Sequence, residues 1–247
     1  METPQVLAAI VGAFLVAGFA KGVIGMGLPT VSVGLLGLLL PPTQAAALLL
    51  VPSLVTNIWQ AVSGDSFVPL ARRLASMLVG ICLGTFIGAM LLPHDESGRA
   101  TVVLGVALAS YAGLGLAKVR FKVPRHAEAR LGLPMGMLTG ALTVVTGVFV
   151  IPATPYLQAL PLERNQLIQA MGLSFTVSTV ALAGALGYAG EIGPNLARPA
   201  LVALAAALAG MALGQIARNK IGPHTFRLCF FVGLLLLGGH LALRGLL

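Results

Sequence analysis

The chain has 247 residues, of which 57% are hydrophobic and 9% charged, with a mean hydropathy of +0.97. Soluble domains carry about 25% charged residues, so this composition excludes a soluble enzyme or a free-standing binding module and points to an integral membrane protein. The formal charge of +8 does not signal nucleic acid: the basic residues flank apolar runs, as topology signals do, and no helix outside the membrane is left to carry a basic face.

The apolar runs are continuous, whereas barrel strands alternate in segments of about ten residues, so the expected class is all-α. Met1-Glu2-Thr3-Pro4 lacks a basic n-region, and the first apolar run is expected to stay in the mature protein. That run, from about residue 4 to residue 40, would extend about 55 Å as one helix at about 1.5 Å per residue, against a hydrocarbon core of about 30 Å. Gly22, Gly25, Gly27 and Pro29 crowd its middle, and Lys21 is its only charge. Lipid offers no water to satisfy loosened backbone groups, and an ammonium at that depth needs a partner or a wet cavity. The reading is a helix broken near the midplane into two half-length pieces, with Lys21 aimed at something negative. The plainer account is a tight helix crossing with Lys21 snorkelling to a headgroup.

A second run spans about 43–63 and carries Thr56, Asn57, Trp59 and Gln60. A third, about 69–92, begins near Arg72-Arg73 and holds Gly80, Gly84 and Gly88, a ridge for close helix packing. A fourth spans about 100–117. The basic connection 118–130 follows, and then the pattern repeats. A run of about 131–160 is broken at Thr146-Gly147 and again at Pro152 and Pro155. Runs of about 165–188, 196–217 (with Gly210 and Gly214) and 226–246 complete the chain. Gly64 falls against Gly187, Gly84 and Gly88 against Gly210 and Gly214, and Arg99 against Arg227. The domains expected are a first membrane repeat at 1–117, a basic cytoplasmic linker at 118–130 and a second membrane repeat at 131–247. Such internal repeats are typical of transporters.

Charge placement favours an inverted pair of repeats. If each broken segment is a hairpin and 118–130 is cytoplasmic, every Lys and Arg except Arg99, Arg198, Arg244 and the embedded Lys21 falls inside. Letting each broken segment cross once moves Arg164, Arg218, Lys220 and Arg227 outside. The expected architecture is therefore a broken-helix hairpin plus three transmembrane helices in each half, with both termini outside.

Pro29 and Pro152 suit the first turn of a new half-helix, where a missing N–H costs nothing and the free N–H groups can hold an anion. The expected substrate-binding set is Lys21, Gly22, Gly25, Gly27 and Pro29 at the first break, and Thr146, Gly147, Pro152, Tyr156 and Gln158 at the second. Asn57 and Gln60 join it from the helix after the first break, and Ser174, Ser178 and Thr179 from the matching helix. Back-bonding to their own helix is the alternative for the hydroxyls. For Asn57, Gln60 and Gln169 it is an interhelical bond, and for Trp59 and Tyr156 an interfacial anchor. Asp65, Asp95, Glu96, Glu128, Glu163 and Glu191 fall in loops or at helix ends. A proton relay or a cation path would want carboxylates at depth, so the cargo read from the sequence is anionic.

Gly18-Phe19-Ala20-Lys21-Gly22-Val23-Ile24-Gly25-Met26-Gly27-Leu28-Pro29 resembles the first signature of the TauE/SafE family of sulfite and organosulfonate exporters. The stretch from Val148 to Leu160 is similar to the second signature, and Gln169 to Thr179 to the helix that follows it. The resemblance covers nearly the whole chain. It implies a secondary carrier in the cell inner membrane that moves small sulfur-containing anions such as sulfite, sulfoacetate or other organosulfonates, usually outward. Where the family's second break often shows paired glycines, Phe149 and Val150 stand here and Gly147 remains.

An anion channel, or a carrier of another small organic anion, could use the same lining. An intramembrane enzyme would need a nucleophile–base pair or a metal cluster at depth. Cys82 and Cys229 form no CxxC pair, and His94, His126, His224 and His240 lack metal-ligand spacing. Neither catalytic residues nor a metal nor a cofactor is expected. The expected partners are a small anionic substrate and the lipid bilayer, without nucleic acid, and a homodimer is left open.

Overall fold

The computed structural model describes residues 4–91, 98–117, 122–218 and 223–245. Lys118, Arg120 and Lys220, counted above for topology, lie outside the described residues, as do Met1–Thr3, His94, Asp95 and Glu96. Among the described residues eleven α-helices follow in order: α1 (Pro4–Ile24), α2 (Leu28–Leu36), α3 (Pro42–Val62), α4 (Phe67–Arg73), α5 (Ala75–Leu91), α6 (Arg99–Leu116), α7 (Glu128–Thr146), α8 (Ala153–Ala159), α9 (Arg164–Tyr188), α10 (Ala197–Ala217) and α11 (Pro223–Arg244). Short 3₁₀ turns precede α7 and α10. Among the described residues seven helices are long and apolar enough to cross a membrane, and α4 with α5, bent by 64° at their junction, makes an eighth when counted as one broken span.

The first apolar run is broken, but not evenly. Helix α1 has 21 residues, about 31 Å at about 1.5 Å per residue, which is a full hydrocarbon thickness. Helix α2 has 9. The half-length pieces expected from the sequence are therefore a full-length helix followed by a short one. The reason lies in Gly18 and Gly22. They do not loosen α1, because their bare faces are filled by the backbone of α10. The second broken run divides in the same way, into 19 residues for α7 and 7 for α8.

Two compact units emerge, and each draws on both halves of the sequence. One comprises residues 1–52, 95–119 and 190–247; the other comprises 53–94 and 120–189. The division falls inside α3, at its internal Pro52. In the first unit α1 packs along α10, α6 along α11, and α2 rests on α1, α6 and α11. In the second unit α5 packs along α7, and α9 gathers α4, α5, α7 and α8.

Glycine seams explain these pairings. A Cβ on Gly18 would overlap the Ala207 carbonyl, one on Gly22 that of Met211, and one on Gly210 that of Leu15. In the second unit, Cβ atoms on Gly80, Gly84 and Gly136 would overlap the carbonyls of Leu133, Met137 and Met77. Lipid tails are as apolar as leucine, so helices in a bilayer gain little from hiding large side chains and associate through such close backbone contact. The rest of the pattern agrees. Phe86, Met90, Leu213 and Leu236 are exposed, whereas Thr30, Ser32, Ser53, Asn57, Thr139, Thr143 and Gln169 are buried. Large apolar groups lie both inside, as Phe14, Phe149 and Phe175 do, and on the surface, while these polar side chains are kept inside.

Candidate functional site

The first unit holds the first break. The Gly25 N–H donates to the Lys21 carbonyl at 2.8 Å and closes α1. Gly25 (φ 79°) and Gly27 (φ 112°) are both left-handed, which would cost a side-chain-bearing residue about 1–2 kcal/mol. A Cβ on Gly25 would meet nothing within 4 Å, so conformation alone demands glycine there. On Gly27 it would press on the Phe230 ring at 3.0 Å, so space demands it as well. Between them, Met26 Sδ accepts a hydrogen bond from the Tyr111 hydroxyl at 3.1 Å, and Phe231 meets Tyr111 edge-on at 5.4 Å. Gly27 caps α2, and Pro29 lies in its first turn.

Lys21 is 5% exposed, one turn before the break. Its side chain lies inside the protein and not along the lipid-facing surface, which removes the snorkelling account. Gly22 belongs to the seam with α10. Thr30 and Ser32 bond back to the carbonyls of Gly27 and Leu28.

The second unit holds the second break. Thr146 donates to the Leu142 carbonyl at 2.7 Å and accepts the Val148 N–H at 3.1 Å, while Gly147 (φ 70°) ends the helix by bonding Thr143 at 2.8 Å. Thr146 and Gly147 thus form the cap of α7. Val148, Phe149 and Val150 are buried, and Phe149 packs on Phe175 with ring centroids 5.4 Å apart. This segment presents buried side chains. The Ile151–Pro152 peptide is cis, and Pro152 caps α8. The Tyr156 hydroxyl donates to the Glu128 carbonyl at 2.7 Å, so it is a brace and not an interfacial anchor. Gln158 is exposed. Trp59, 67% exposed, keeps the outward position an interfacial anchor takes.

Between α3 and α9, amides act as struts. Gln60 Nε2 donates to the Ile168 carbonyl at 2.9 Å. Gln169 Nε2 donates to the carbonyls of Ala61 and Gly64, both at 2.8 Å, and its Oε1 accepts the Ser66 N–H at 3.1 Å. Gly172 leaves room for this approach, since a Cβ there would press on the Ala61 nitrogen at 2.6 Å. Asn57 Nδ2 reaches Ser53 Oγ at 3.3 Å.

The hydroxyls separate into two groups. Thr139, Thr143, Thr146, Thr176 and Thr179 all donate to the carbonyl four residues earlier, at 2.6–2.7 Å. Ser174, Ser178, Thr85 and Thr154 are buried with no hydrogen-bond partner among the described residues. A buried hydroxyl left that way costs about 1–3 kcal/mol. Thr85 lies in the α5–α7 seam, 2.8 Å from where a Gly140 Cβ would be. The other three lie on α8 and α9.

Several residues were not singled out by the sequence reading. Thr154 stands inside the second signature. Tyr111 and Met26 pair across the first break. Arg73 reads as a topology charge and Glu128 as a carboxylate in a loop or at a helix end, yet they form a bidentate ion pair with both bonds at 2.8 Å. Among the described residues no group of three or more His, Cys, Asp or Glu side chains could hold a metal. The first unit offers a buried ammonium beside a broken helix, and the second offers neutral O–H donors beside another. Both suit oxyanion oxygens.

Residues 10–241 match the family model described as Sulfite exporter TauE/SafE. No curated protein and no solved structure matches the chain.

Proposed function

The chain belongs to the TauE/SafE family of sulfite exporters, and we propose that it is a secondary carrier that exports small sulfur-containing oxyanions, such as sulfite, sulfoacetate or other organosulfonates, from the cell across the inner membrane. In this reading the sequence halves are inverted repeats with 118–130 in the cytoplasm, and alternating access exposes the anion to each side in turn. Each break offers donors suited to an anion within its own unit: in the first, Lys21 and the N-terminus of α2 supply positive charge and N–H groups, and in the second the buried hydroxyls supply O–H groups. The observation that carries the reading is the burial of Lys21, the only charge in the first apolar run, one turn before a break that two left-handed glycines define. A buried ammonium in a membrane span serves a pathway far more readily than a scaffold.

The test is flux. Purified protein in liposomes is expected to move radiolabelled sulfite with saturation and with counterflow driven by unlabelled sulfite. Linear, non-saturating flux without counterflow would indicate a channel, and no flux of sulfite or of any sulfonate would remove the reading. A melting-temperature panel of sulfite, thiosulfate, sulfonates and carboxylates ranks the cargo, because a ligand stabilises the state it binds by mass action.

A further inference from the structure

The hydroxyls of the second unit are sorted by what they bond, and the sorting isolates four: Thr85 in the α5–α7 seam, and three on α8 and α9. In a membrane helix a Ser or Thr hydroxyl ordinarily satisfies itself on the carbonyl four residues back. Thr176 and Thr179 on α9 do so at 2.7 Å, as do Thr139, Thr143 and Thr146 on α7. Ser174 and Ser178, on the same helix as Thr176 and Thr179, do not, and neither does Thr154 in the first turn of α8. All three are fully buried at 0% exposure.

They stand on two elements that pack together. Successive residues advance about 100° around a helix, so Ser174, Ser178 and Phe175 fall within an arc of about 100° on α9. Phe175 is the residue on which Phe149 packs, in the segment that leads into α8, and α8 itself packs on α9. Ser174 and Ser178 lie one turn apart on α9, separated by about 40° around its axis, and Thr154 lies on the short helix that packs against α9.

We propose that Thr154, Ser174 and Ser178 are the donors that select a three-oxygen head group, –SO₃⁻, over a carboxylate. This rests on the anion-carrier reading above. Each hydroxyl has one proton to give and no protein acceptor among the described residues to take it. An –SO₃⁻ group offers three oxygens to three donors, whereas a carboxylate offers two and leaves one buried hydroxyl unanswered. A site loses affinity steeply for an analogue that leaves a buried polar group unpaired. Neutral donors also let the anion go again, as a carrier requires, where a ring of ammonium groups would trap it.

Three variants, Thr154→Val, Ser174→Ala and Ser178→Ala, are compared with Thr176→Val as the control on the same helix. Sulfite flux in proteoliposomes is measured with methanesulfonate and acetate as competitors. Each of the three is expected to raise the KM for sulfite at least tenfold and to bring the methanesulfonate-to-acetate ratio close to one, while the control changes neither. The melting temperature without ligand is read in parallel. It should hold or rise in the three variants, since an unpartnered hydroxyl is being removed, and it would fall if the hydroxyl had a structural partner. Wild-type KM and wild-type competitor ratios in all three variants, or ligand-free melting temperatures that fall, would overturn the inference while leaving the carrier reading in place. A wild-type protein that moves neither sulfite nor methanesulfonate overturns both.

Discussion

The Tyr156 hydroxyl donates to the main-chain carbonyl of Glu128 at 2.7 Å, and the Glu128 carboxylate in turn takes two bonds from the Arg73 guanidinium. This ties a 7-residue helix, α8, to the first turn of α7. A helix that short has no stability of its own, so its position is set by what it is bonded to. Gly132 adds to the arrangement, since a Cβ there would lie 3.3 Å from the Tyr156 oxygen.

Tyr156→Phe keeps the ring and removes the brace. It leaves the Glu128 carbonyl without its Tyr156 donor, and stability is expected to fall by about 1–2 kcal/mol. The melting temperature in detergent should drop by a few degrees. Sulfite flux should fall with it, because α8 carries Thr154. An unchanged melting temperature would mean that α8 is held by packing alone.

The ion pair should respond asymmetrically. Arg73 is 27% exposed at its side chain and Glu128 only 9%. Glu128→Ala leaves a guanidinium that can reach water, whereas Arg73→Ala strands a nearly buried carboxylate. Stranding a fully buried charge costs about 3–5 kcal/mol. Partial solvent screening reduces that here to about 1–3 kcal/mol for Arg73→Ala, with less for Glu128→Ala. The double variant should recover part of the loss, and a double-mutant cycle on melting data measures the coupling. Additive single effects would show that the pair contributes nothing beyond its separate parts.

The same substitution should change sign along α1. At Gly12 a Cβ meets nothing within 4 Å, so Gly12→Ala gains helix propensity, about 1 kcal/mol at most. At Gly18 the Cβ overlaps the Ala207 carbonyl of α10, and the two helices must separate. Gly18→Ala is expected to lower both the yield of folded protein and its melting temperature. Gly84→Ala should do the same in the second unit, where the Cβ would overlap the Met137 carbonyl. Size-exclusion profiles and melting curves check all three.

Much of the element order could be read from the sequence, because lipid makes hydrophobic runs continuous and punctuates them with glycine and proline. The breaks at Gly25–Pro29 and Gly147–Pro152 lie where those residues put them. Pairing was another matter. Gly18 and Gly22 carry no mark that separates a seam glycine from a site glycine, since both uses need only a missing side chain. Only the facing backbone of α10 assigns them. Arg73 and Glu128 lie 55 residues apart, and each looks like a loop charge until α4 and α7 meet. The hydroxyls show the same limit: Ser178 and Thr179 are adjacent and chemically alike, yet one is unpartnered and the other is satisfied by its own helix. That difference depends on side-chain rotation, which no local pattern encodes.

Lys21 decides the functional reading. It is buried on a membrane-spanning helix, one turn before a break whose glycines cannot carry side chains without strain. If its ammonium meets the transported anion, a hydrogen bond to a charged group worth about 1.5–3 kcal/mol is lost in Lys21→Ala, which corresponds to roughly ten- to hundredfold in flux at low sulfite. Lys21→Met keeps the chain length and should fall as far. Lys21→Arg keeps the charge and should retain part of the flux, with the remainder lost to a larger head group. Initial rates of sulfite uptake into proteoliposomes, normalised to inserted protein, separate these outcomes. Wild-type rates in both Lys21→Ala and Lys21→Met would confine the lysine to holding α1 in place and move the anion site elsewhere.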